Sequence, residues 1–483
     1  MIATPPGPAV ALRRARLLID GVWTEGPETF PVVDKYSGAL IGHADRASHD
    51  QVRAAVGAAE RSFHTAPLDP SQRFEILRRA CDVIERRRTE LADTITAEAG
   101  FPAADAQNEV TRAIQTILVS AEEGKRLVGE MVPIEGAPGH SHRLAFTIRV
   151  PRGVVCAITS FNAPLNFVAH KVGPAIASGN TVVIKAPQAT PFSAVLFSQI
   201  LLEAGLPPGH VNVVQGPGSE IGRWLVADPR IRFYTFTGST DVGKQLHRDV
   251  GLRPVALELG SIAGTIVCAD GDLDRAAPRI ANSAFRRAGQ ACTSTQRLFV
   301  DRTVLDAFVE RFAAAALALT VGDPRDPRTA VGPMISEAEA VRAERWVRDA
   351  IDQGARLITG GERKGAQLQP TVLVDVTPTM QVICEEIFAP VVSVIPFDSF
   401  DEAIDRINST SFGLAAGIFT RDISTAMMAA RRIHVGVVHI NESSSNRVDL
   451  IPFSGVKDSG LGREGPKYAM QDMTEERLIT INL

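Results

Sequence analysis

Short runs of β-branched and apolar residues alternate with helical stretches from about residue 150 onward. Each of four runs is followed by a segment typical of a helix: GVVCAITS (153–160), TVVIKAP (181–187), VNVVQG (211–216) and FYTFTGS (233–239). Strands that alternate with helices of about 10–15 residues predict βαβ units and a parallel sheet. Ligands of such sheets bind beyond the carboxyl ends of the strands, where loops turn into helices. The pattern therefore predicts an α/β fold with its site in these loops.

A second alternating region follows the first. It contains a predicted helix at 272–288 and five strand-like runs: VALELGS (255–261), TIVCAD (265–270), RLFVD (297–301), VVSVIPF (391–397) and AAGIFT (415–420). The 483 residues also exceed the roughly 250–300 at which one hydrophobic core usually stops growing. We therefore predict two α/β lobes with a boundary near 255. Before 150 helical patterning dominates, and RLAFTIRV (143–150) predicts an extended ribbon that is either an edge strand or a projecting one.

The composition is that of an ordinary globular protein, with 45% hydrophobic and 22% charged residues. Lys and Arg number 51 against 55 Asp and Glu, and no basic block stands out, so nothing favours nucleic-acid binding. No apolar run approaches the roughly 18–20 residues that span a bilayer. Prolines and arginines interrupt residues 1–20, which do not resemble a signal peptide. We expect a cytoplasmic protein that binds neither nucleic acid nor membrane.

The five cysteines are odd in number and form no CxxC pair, so neither a disulfide framework nor a metal site is expected. Most cysteines of such a chain are buried and inert. Cys292, in GQAC (289–292), follows a glycine between a helical and a strand-like segment. At such a turn, amide N–H groups can lower the pKa of a thiol and hold an oxyanion. Cys292 is therefore a candidate nucleophile, although this signal alone is weak.

Two further residues have a structural and a chemical interpretation. Asn162, in TSFNAPL (159–165), follows a strand and either caps the next helix or donates its side-chain amide to developing negative charge. Glu258, in LELGS, lies inside an apolar strand. A buried carboxyl often has a raised pKa, which suits a general base, but a hydrogen-bonded structural glutamate is the alternative.

Three segments have the features of a nucleotide site. Lys185 ends an apolar strand, where a charged side chain needs a partner such as a phosphate or a ribose. FTGSTDVGK (236–244) is a Gly-rich strand-to-helix turn that can place a helix N-terminus beneath a phosphate. EEIFAP (385–390) sets a carboxylate beside Phe388, which suits ribose hydroxyls and a flat ring. Each signal is weak by itself.

Taken together and in order, these motifs resemble the aldehyde dehydrogenase superfamily over nearly the whole chain. The matching segments are FNAPL, KAPQATP, FTGSTDVG, LELGS, GQAC, GDPRDPRTAVGP, EEIFAPVV and PFSGVKDSGLGRE. The C-terminal run INESSSNRVDLIPFSGVKDSGLGREGPKYAMQDMTEERL is most similar to the branch that handles lactaldehyde, phosphonoacetaldehyde and related small or anionic aldehydes. The implied fold has a Rossmann-like cofactor domain, a catalytic α/β domain and a β-ribbon oligomerisation arm.

The resemblance implies a reaction through a thioester. Cys292 would attack the aldehyde, and Asn162 would stabilise the oxyanion together with the Cys292 backbone N–H. Hydride would leave for the nicotinamide of NAD or NADP, and Glu258 would activate the water that hydrolyses the thioester. Because CoA-acylating relatives often lack this base, Glu258 favours a free acid as the product.

The resemblance also implies the cofactor contacts: Lys185 and Gln188 at the adenosine ribose, Gly238 and Ser239 at the pyrophosphate, Glu386 at the nicotinamide ribose, Phe388 beside it, and Ser160 nearby. Gln188 replaces a glutamate that is usual at this position. A carboxylate there grips both ribose hydroxyls and repels a 2′-phosphate, so glutamine weakens the preference for NAD and admits NADP. We expect either cofactor, with NAD slightly favoured.

The substrate pocket is indicated by arginines near the reacting cysteine. Arg286 and Arg287 precede Cys292, and Arg447 lies in the segment that approaches the substrate entrance in relatives. These arginines either belong to exposed helix faces or clamp a carboxylate or phosphonate in bidentate fashion. Ala291 argues against the clamp, since several anion-handling relatives place an arginine there. Lys171 also matches a family lysine, for which a structural role is equally expected.

The family fold predicts a cofactor domain (1–124 and 147–255), a catalytic domain (256–439), an arm (125–146 and 467–483) and a returning segment (440–466), assembled as a dimer or tetramer. Three rival functions stay open. A CoA-acylating or phosphorylating enzyme would use the same cysteine, but Glu258 speaks against it. A catalytically silent binding homologue would not need Cys292, Asn162 and Glu258. A non-oxidative thiol hydrolase would not need the nucleotide loops.

Overall fold

A computed structural model describes residues 12–483; the segment 1–11, which bears on the signal-peptide prediction, lies outside the described residues. The strands are β1 Arg13–Ala15, β2 Leu17–Ile19, β3 Val22–Thr24, β4 Glu28–Val33, β5 Leu40–Arg46, β6 Met131–Val132, β7 Arg143–Pro151, β8 Val154–Ile158, β9 Thr181–Lys185, β10 Val211–Val214, β11 Ile231–Thr237, β12 Val255–Glu258, β13 Gly264–Val267, β14 Arg297–Asp301, β15 Arg356–Thr359, β16 Arg363–Lys364, β17 Gln367–Leu368, β18 Thr371–Val374, β19 Val391–Phe397, β20 Ala415–Phe419, β21 Val437–Ile440, β22 Gly460–Leu461 and β23 Thr474–Asn482. The helices are α1 His49–Thr65, α2 Pro70–Arg86, α3 Arg88–Ala99, α4 Ala103–Gly124, α5 Asn166–Ala177, α6 Pro191–Glu203, α7 Gly218–Ala227, α8 Thr240–Asp249, α9 Leu273–Phe285, α10 Leu305–Leu317, α11 Glu337–Asp352, α12 Gln381–Cys384, α13 Phe400–Asn408, α14 Ile423–Arg432 and α15 Pro466–Asp472.

The first large sheet has the order β22-β12-β11-β8-β9-β10-β2-β3, in which the five strands from β12 to β10 are parallel. Helices cover both faces, so its central strands are buried on both sides, as in β9, where all five residues are buried. The chain runs from β8 to β9 and β10 on one side and returns through β11 on the other. The loops after β8 and β11 therefore flank a topological switch point, where such sheets bind ligands.

The second large sheet has the order β15-β18-β19-β14-β13-β20-β21, and it is parallel except for β15 at one edge. It has its own apolar core, with helices such as α9 and α10 packed against it. The two parallel sheets confirm the predicted α/β architecture. Strand β12 pairs with β11 in the first sheet, so the chain changes sheets between Glu258 and Gly264. We therefore propose the domain boundary there, a few residues after the predicted position near 255.

A smaller sheet with the order β23-β7-β6 stands apart from the two large ones. Strand β23 pairs with β7 along its whole length, from Thr474 opposite Pro151 to Asn482 opposite Arg143. Several large apolar side chains on it are exposed, among them Leu478 and Ile481. The predicted ribbon is thus the central strand of this three-stranded sheet, and the alternative of an edge strand is wrong. Among residues 12–483, no helix combines the length and the apolar character needed to cross a membrane.

Candidate active site

Cys292 lies in the loop between α9 and β14. The helix predicted over 272–288 ends at Phe285, because Arg287 and Ala288 have a φ of 54° and Gly289 a φ of 68°. Left-handed backbone cannot continue a right-handed helix. The chain therefore turns sharply just before the cysteine. Among the described residues, no carbonyl oxygen accepts a hydrogen bond from the Cys292 backbone N–H, which leaves this N–H free to donate to an oxyanion.

The position of Cys292 at a turn led us to expect a lowered thiol pKa, but the pKa is raised. Burial raises the pKa of the Cys292 thiol to about 12, and the neighbouring carboxyl groups of Glu258 and Glu386 act in the same direction. Burial also raises the pKa of Cys81, Cys156 and Cys268 to about 12. All five cysteines are free thiols. Cys292 thus differs from the other buried thiols by its position at a cavity, and it needs a base to become a nucleophile.

Asn162 follows β8 and is buried, with 7% of its surface exposed. The structural interpretation as a cap is wrong, since the residue that precedes α5 is Leu165. Oδ1 of Asn162 accepts a hydrogen bond from Oγ of Ser160 at 2.8 Å, which orients the amide so that its NH2 group is free to donate. The backbone oxygen of Asn162 accepts from Nη1 of Arg287 at 3.0 Å. Asn162 is therefore held on both its side chain and its backbone.

Glu258 ends β12 and is 4% exposed. Neither carboxyl oxygen has a hydrogen-bond partner among the described residues. Burial raises the pKa of Glu258 well above its ordinary value, and the nearby carboxylate of Glu464 raises it further. The alternative of a hydrogen-bonded structural glutamate therefore lacks its hydrogen bonds. An unpaired carboxyl with a raised pKa has the properties of a general base.

A cavity of about 640 Å³ joins these three residues to most of the predicted cofactor residues. Its lining includes Cys292, Asn162 and Glu258, together with Ser160, Gly238, Ser239, Glu386 and Phe388. Lys185 and Gln188 are outside this lining. Lys185 is buried at the end of β9, where burial lowers the pKa of its ammonium group to about 8, and Gln188 is exposed in the following loop. The structure thus brings the residues of this lining together, and Lys185 and Gln188 lie further along the same edge of the sheet.

The floor of this cavity fits a dinucleotide. Ser239 precedes the ten-residue helix α8, and its hydroxyl does not cap the helix, so the N-terminal amides are available for a phosphate. A Cβ at Gly260 would lie 2.7 Å from Oε2 of Glu386, so a larger residue there would displace the Glu386 carboxylate. Oε1 of Glu386 accepts from the Ser261 backbone N–H at 2.8 Å. Burial raises the pKa of Glu386 to about 7.

Phe388 closes the cavity on the side of Glu386. Its φ of 50° is left-handed, which is strained for an aromatic residue. Its ring packs edge-on against Phe161, with the ring centroids 6.0 Å apart. Both aromatic rings line the cavity together with Asn162. They form an apolar wall suited to a flat ring beside the thiol.

A second cavity, of about 470 Å³, lies on the other side of Cys292 and Asn162, which line both cavities. The charged side chains of its lining are Arg112, Arg286, Arg287, Arg447 and Asp449. The predicted substrate residues Arg286 and Arg447 are therefore both brought to the cysteine. Four arginines against one aspartate make this cavity electropositive, which favours an anionic ligand.

The ion pairs behind the second cavity show which of its arginines already have a carboxylate partner. Nη2 of Arg447 donates to Oε2 of Glu464 at 2.9 Å, and Nζ of Lys171 donates to Oε1 of the same carboxylate at 2.8 Å. Although burial opposes ionisation, these two cations hold the pKa of Glu464 well below its ordinary value. One carboxylate thus faces two buried cations. Lys171, completely buried, has the structural contacts that we considered for it.

Arg112 and Asp449 form a second pair at the rim. Nη2 of Arg112 donates to Oδ1 of Asp449 at 2.7 Å, and that oxygen also lies 2.8 Å from Nε2 of His170. Arg286 has the weakest partner, since its Nε is 4.0 Å from Asp105 and about a third of its side chain is exposed. Arg286 is therefore the arginine with the most freedom to meet a ligand.

Sequence reasoning missed Arg112, Asp449, Phe161 and Thr237, which line the two cavities. Phe161 and Thr237 stand inside motifs that the sequence already singled out, next to Asn162 and Gly238. Arg112 is on α4, far from every motif in the chain. The fold places Arg112 at the cavity, where it pairs with Asp449.

Comparisons with known proteins agree with this geometry. The model of the aldehyde dehydrogenase family matches residues 23–479. The chain is 44% identical to a 3-sulfolactaldehyde dehydrogenase of Priestia aryabhattai, over 97% of this chain and 98% of that protein. Aldehyde dehydrogenase 21 of Physcomitrella patens, solved with its reaction product succinate, superposes with a TM-score of 0.95 at 36% identity, covering 98% of this chain and 99% of that one.

A third protein superposes equally well. The NADP-dependent glyceraldehyde-3-phosphate dehydrogenase of Bacillus halodurans, solved with NADP, has a TM-score of 0.95 at 36% identity, over 98% of this chain and all of that one. The match of the family model covers nearly the entire chain, and the fold and site are those described above. The chain therefore belongs to the aldehyde dehydrogenase family.

Proposed function

We propose that the protein oxidises a small, anionic aldehyde to its carboxylic acid through a thioester on Cys292, with NAD or NADP as the oxidant. The observation that carries the proposal is that Cys292 and Asn162 line both cavities. A thiol and an amide donor thereby lie between a cavity that fits a dinucleotide and a cavity that is electropositive. An aldehyde carbon bound there would face the thiol on one side and the cofactor on the other.

The first step forms a bond between Sγ of Cys292 and the aldehyde carbon. The thiol proton passes to a base, for which the unpaired carboxylate of Glu258 is suited, and the carbonyl electron pair moves onto the oxygen. The NH2 group of Asn162 and the Cys292 backbone N–H donate to this oxyanion. Removal of one such donor typically costs about 2.7–4 kcal/mol of transition-state stabilisation.

A bound NAD⁺ or NADP⁺ supplies the two-electron oxidation that converts the adduct into a thioester. Within the chain, Glu386 would hold ribose hydroxyls, the α8 N-terminus with Ser239 would hold phosphate, and Phe388 would pack against a flat ring. Lys185 would face the other ribose. Gln188 offers neither the charge that grips a free ribose diol nor the charge that repels a 2′-phosphate, so the proposal admits both cofactors, with NAD slightly favoured.

The last step releases the acid. After Glu258 has released the thiol proton to solvent, it takes a proton from water. The water oxygen attacks the thioester carbon, and the carbon–sulfur bond breaks with Cys292 as the leaving thiolate. The raised pKa of Glu258 makes its carboxylate a stronger base than an ordinary glutamate. A base in this place supports hydrolysis over the alternative of acyl transfer to CoA. The complete set of Cys292, Asn162 and Glu258 likewise speaks against a silent binding homologue and supports a working enzyme.

Two observations support an anionic substrate. Lys171 and Arg447 share the carboxylate of Glu464, so this ion pair balances only one of the two positive charges beside the second cavity. In addition, the names of the three similar proteins specify aldehydes or products that bear a sulfonate, a carboxylate or a phosphate. Arg286, which is only loosely paired, is the residue that we expect to contact the anionic group first.

We also propose that the sheet of β6, β7 and β23 is an oligomerisation arm of a cytoplasmic homodimer or homotetramer. Exposed apolar side chains on it, including Met131, Leu478 and Ile481, support this role. Light scattering coupled to size-exclusion chromatography measures the assembly directly. A monomeric wild-type protein would contradict this part of the proposal.

The experiment that tests the function combines an aldehyde panel with each cofactor. Sulfonate-, carboxylate- and phosphate-bearing aldehydes and neutral aldehydes of similar size are incubated with NAD⁺ or NADP⁺, and the absorbance of the reduced nicotinamide is followed. We expect reduction with anionic aldehydes at a higher kcat/KM than with neutral ones, and a free acid as product. Cofactor binding without reduction by any aldehyde would reject the enzymatic function.

A further inference from the structure

Arg287 sits in the strained turn that leads into Cys292, and it is 5% exposed. Both Arg287 and the next residue, Ala288, are left-handed, and a side chain at Gly289 would collide with the Ala389 carbonyl. Left-handed backbone is unfavourable for residues with a Cβ, so contacts of the surrounding structure must hold it. The contacts of the Arg287 side chain are therefore the first candidates for this restraint.

The guanidinium of Arg287 reaches from the cysteine turn into the loop that carries Asn162. Its Nη1 donates to the backbone oxygen of Asn162 at 3.0 Å. Its centre lies 4.5 Å from the centroid of the Phe101 ring, a cation–π geometry. Nη2 is 3.5 Å from Oε2 of Glu109. Arg287 thus links the segment before the nucleophile directly to the residue that donates to the oxyanion.

Glu109 extends this link to the far end of the same loop. It is completely buried, and its Oε1 accepts from the backbone N–H groups of Leu165 at 2.9 Å and Asn166 at 3.2 Å. Arg287 therefore holds one end of the loop at Asn162, and its ion-pair partner holds the other end at the start of α5. Two residues only, Ala163 and Pro164, lie between the two anchors.

The position of an oxyanion donor is sensitive to small movements. The donor must lie about 2.7–3.1 Å from the oxyanion, and a displacement of about 1 Å can lower a rate by roughly 10²-fold. Ser160 fixes which way the Asn162 amide faces, but it does not fix where the loop stands relative to Cys292. The hydrogen bond from Arg287 is the described contact that joins the two.

We propose that Arg287 is a positioning residue, which sets the distance between the Asn162 amide and Cys292 and so completes the oxyanion site. This inference rests on the proposed function, because the oxyanion forms only if Cys292 attacks an aldehyde. It differs from the proposed role of Arg286, the less buried neighbour, which is to meet the anionic group of the substrate. Loss of Arg287 therefore lowers kcat, and loss of Arg286 raises KM.

The test compares Arg287→Met with Asn162→Ala and with the double variant. We expect Arg287→Met to lower kcat for aldehyde oxidation by roughly 10²-fold with KM changed less than about threefold. In the Asn162→Ala background, Arg287→Met should lower kcat further by less than about threefold, because the donor that Arg287 positions is already absent. Full additivity of the two losses, or an unchanged kcat in Arg287→Met, would overturn the proposal.

Alkylation of Cys292 by iodoacetamide tests whether Arg287→Met disturbs the cysteine loop itself. The thiolate displaces iodide without forming an oxyanion, so a misplaced Asn162 amide does not slow this reaction. We expect the alkylation rate of Arg287→Met to stay within about twofold of wild type. A parallel loss of alkylation and oxidation would mean that Arg287 shapes the cysteine loop itself, against the proposal. Arg275→Met, an exposed arginine on α9 outside both cavities, is the matched control.

A second variant keeps the test valid if Arg287→Met does not fold. Glu109→Gln keeps an oxygen that can accept from Leu165 and Asn166 but removes the ion pair with Arg287. We expect a smaller fall in kcat with KM retained, and again no additivity with Asn162→Ala. An unchanged kcat in Glu109→Gln contradicts the role of the pair. An inactive wild type would instead reject the proposed function, which keeps the two failures distinct.

Discussion

Nη2 of Arg447 donates to Oε2 of Glu464 at 2.9 Å, and this pair is largely buried beneath the cavity that we assign to the substrate. Arg447 also stacks on the Phe453 ring, with its guanidinium 4.0 Å from the ring centroid. Arg447 thus has structural contacts in addition to its place in the lining of the cavity. Truncation of Arg447 would leave a buried carboxylate with one partner fewer, so a loss of activity there would have two causes. Arg286, with its long contact to Asp105, is the cleaner probe of substrate charge.

Arg286→Met should raise KM for anionic aldehydes by about tenfold or more and leave KM for neutral aldehydes within about twofold. A charge-assisted contact contributes about 1.5–3 kcal/mol, which corresponds to a factor of roughly ten or more. Steady-state kinetics with a sulfonate- or carboxylate-bearing aldehyde and a neutral one of similar size measure the difference. Arg275→Met, on the preceding helix α9, is the control. Equal KM changes for both aldehydes in Arg286→Met would refute the charge contact.

Glu258→Gln should separate the two halves of the reaction. Acylation of Cys292 can still occur once the thiol is deprotonated by solvent, but the thioester lacks the base for its hydrolysis. We expect about one equivalent of reduced cofactor per site in a first phase and then turnover slower by about 10²–10⁴-fold. Rapid-mixing absorbance and intact-protein mass spectrometry detect the burst and the acyl-enzyme. Steady turnover at the wild-type rate would show that another group supplies the base.

The pH dependence of Cys292 follows from its raised pKa. Because only the thiolate is nucleophilic and the pKa of Cys292 lies at about 12, the free enzyme should react with iodoacetamide about tenfold faster for each unit of pH. This rise should continue without a plateau from neutral pH to about pH 10. Cys384, the exposed thiol, is replaced by serine so that only Cys292 is followed. A plateau near neutral pH would mean that the site lowers the thiol pKa.

The central strands of both sheets, such as β9 and β14, were predictable from sequence, because parallel strands covered on both faces are continuous apolar runs. VVSVIPF and AAGIFT fall on β19 and β20 for this reason. The end of α9 was not predictable in the same way. Arg287 and Ala288 have ordinary helix propensity, and their left-handed backbone is set by tertiary contacts, chiefly those of Arg287 with Asn162 and Glu109.

The proposed catalytic residues and cofactor loops were predicted from local motifs, whose chemistry depends on a few adjacent residues. The substrate cavity depends instead on residues far apart in the chain, such as Arg112 on α4 and Asp449 after β21. No local pattern predicts such a pair, since Asp449 meets Arg112 on α4 only where its loop packs against His170 on α5. The charge balance that argues for an anionic substrate therefore appeared only in three dimensions.

Gln188→Glu should shift the cofactor preference toward NAD. A carboxylate at this exposed position would accept from the ribose hydroxyls of NAD⁺ and repel the 2′-phosphate of NADP⁺. We expect the ratio of kcat/KM for NAD⁺ to that for NADP⁺ to rise by about tenfold or more, consistent with a charge effect of at least about 1.4 kcal/mol. Gln188→Ala, which removes the amide without adding charge, is the control. A similar shift in both variants would show that the charge is not responsible.

Glu464→Gln should destabilise the fold more than Lys171→Met. The first change removes the carboxylate to which Lys171 and Arg447 both donate, and removal of one partner of a buried ion pair typically costs about 3–5 kcal/mol. The second leaves Glu464 paired with Arg447. Thermal unfolding at neutral pH measures the order of the two losses. A larger loss in Lys171→Met would contradict the shared role of Glu464.

The pH dependence of this loss has a definite sign. The folded pKa of Glu464 is held below its ordinary value by Lys171 and Arg447, so its contribution is fully present above the unfolded pKa of about 4.3. As the pH falls below that value toward the folded pKa, the contribution disappears. The difference in stability between wild type and Glu464→Gln should therefore be constant near neutral pH and shrink below about pH 4. A difference that grows on acidification would mean that Glu464 is protonated in the folded protein.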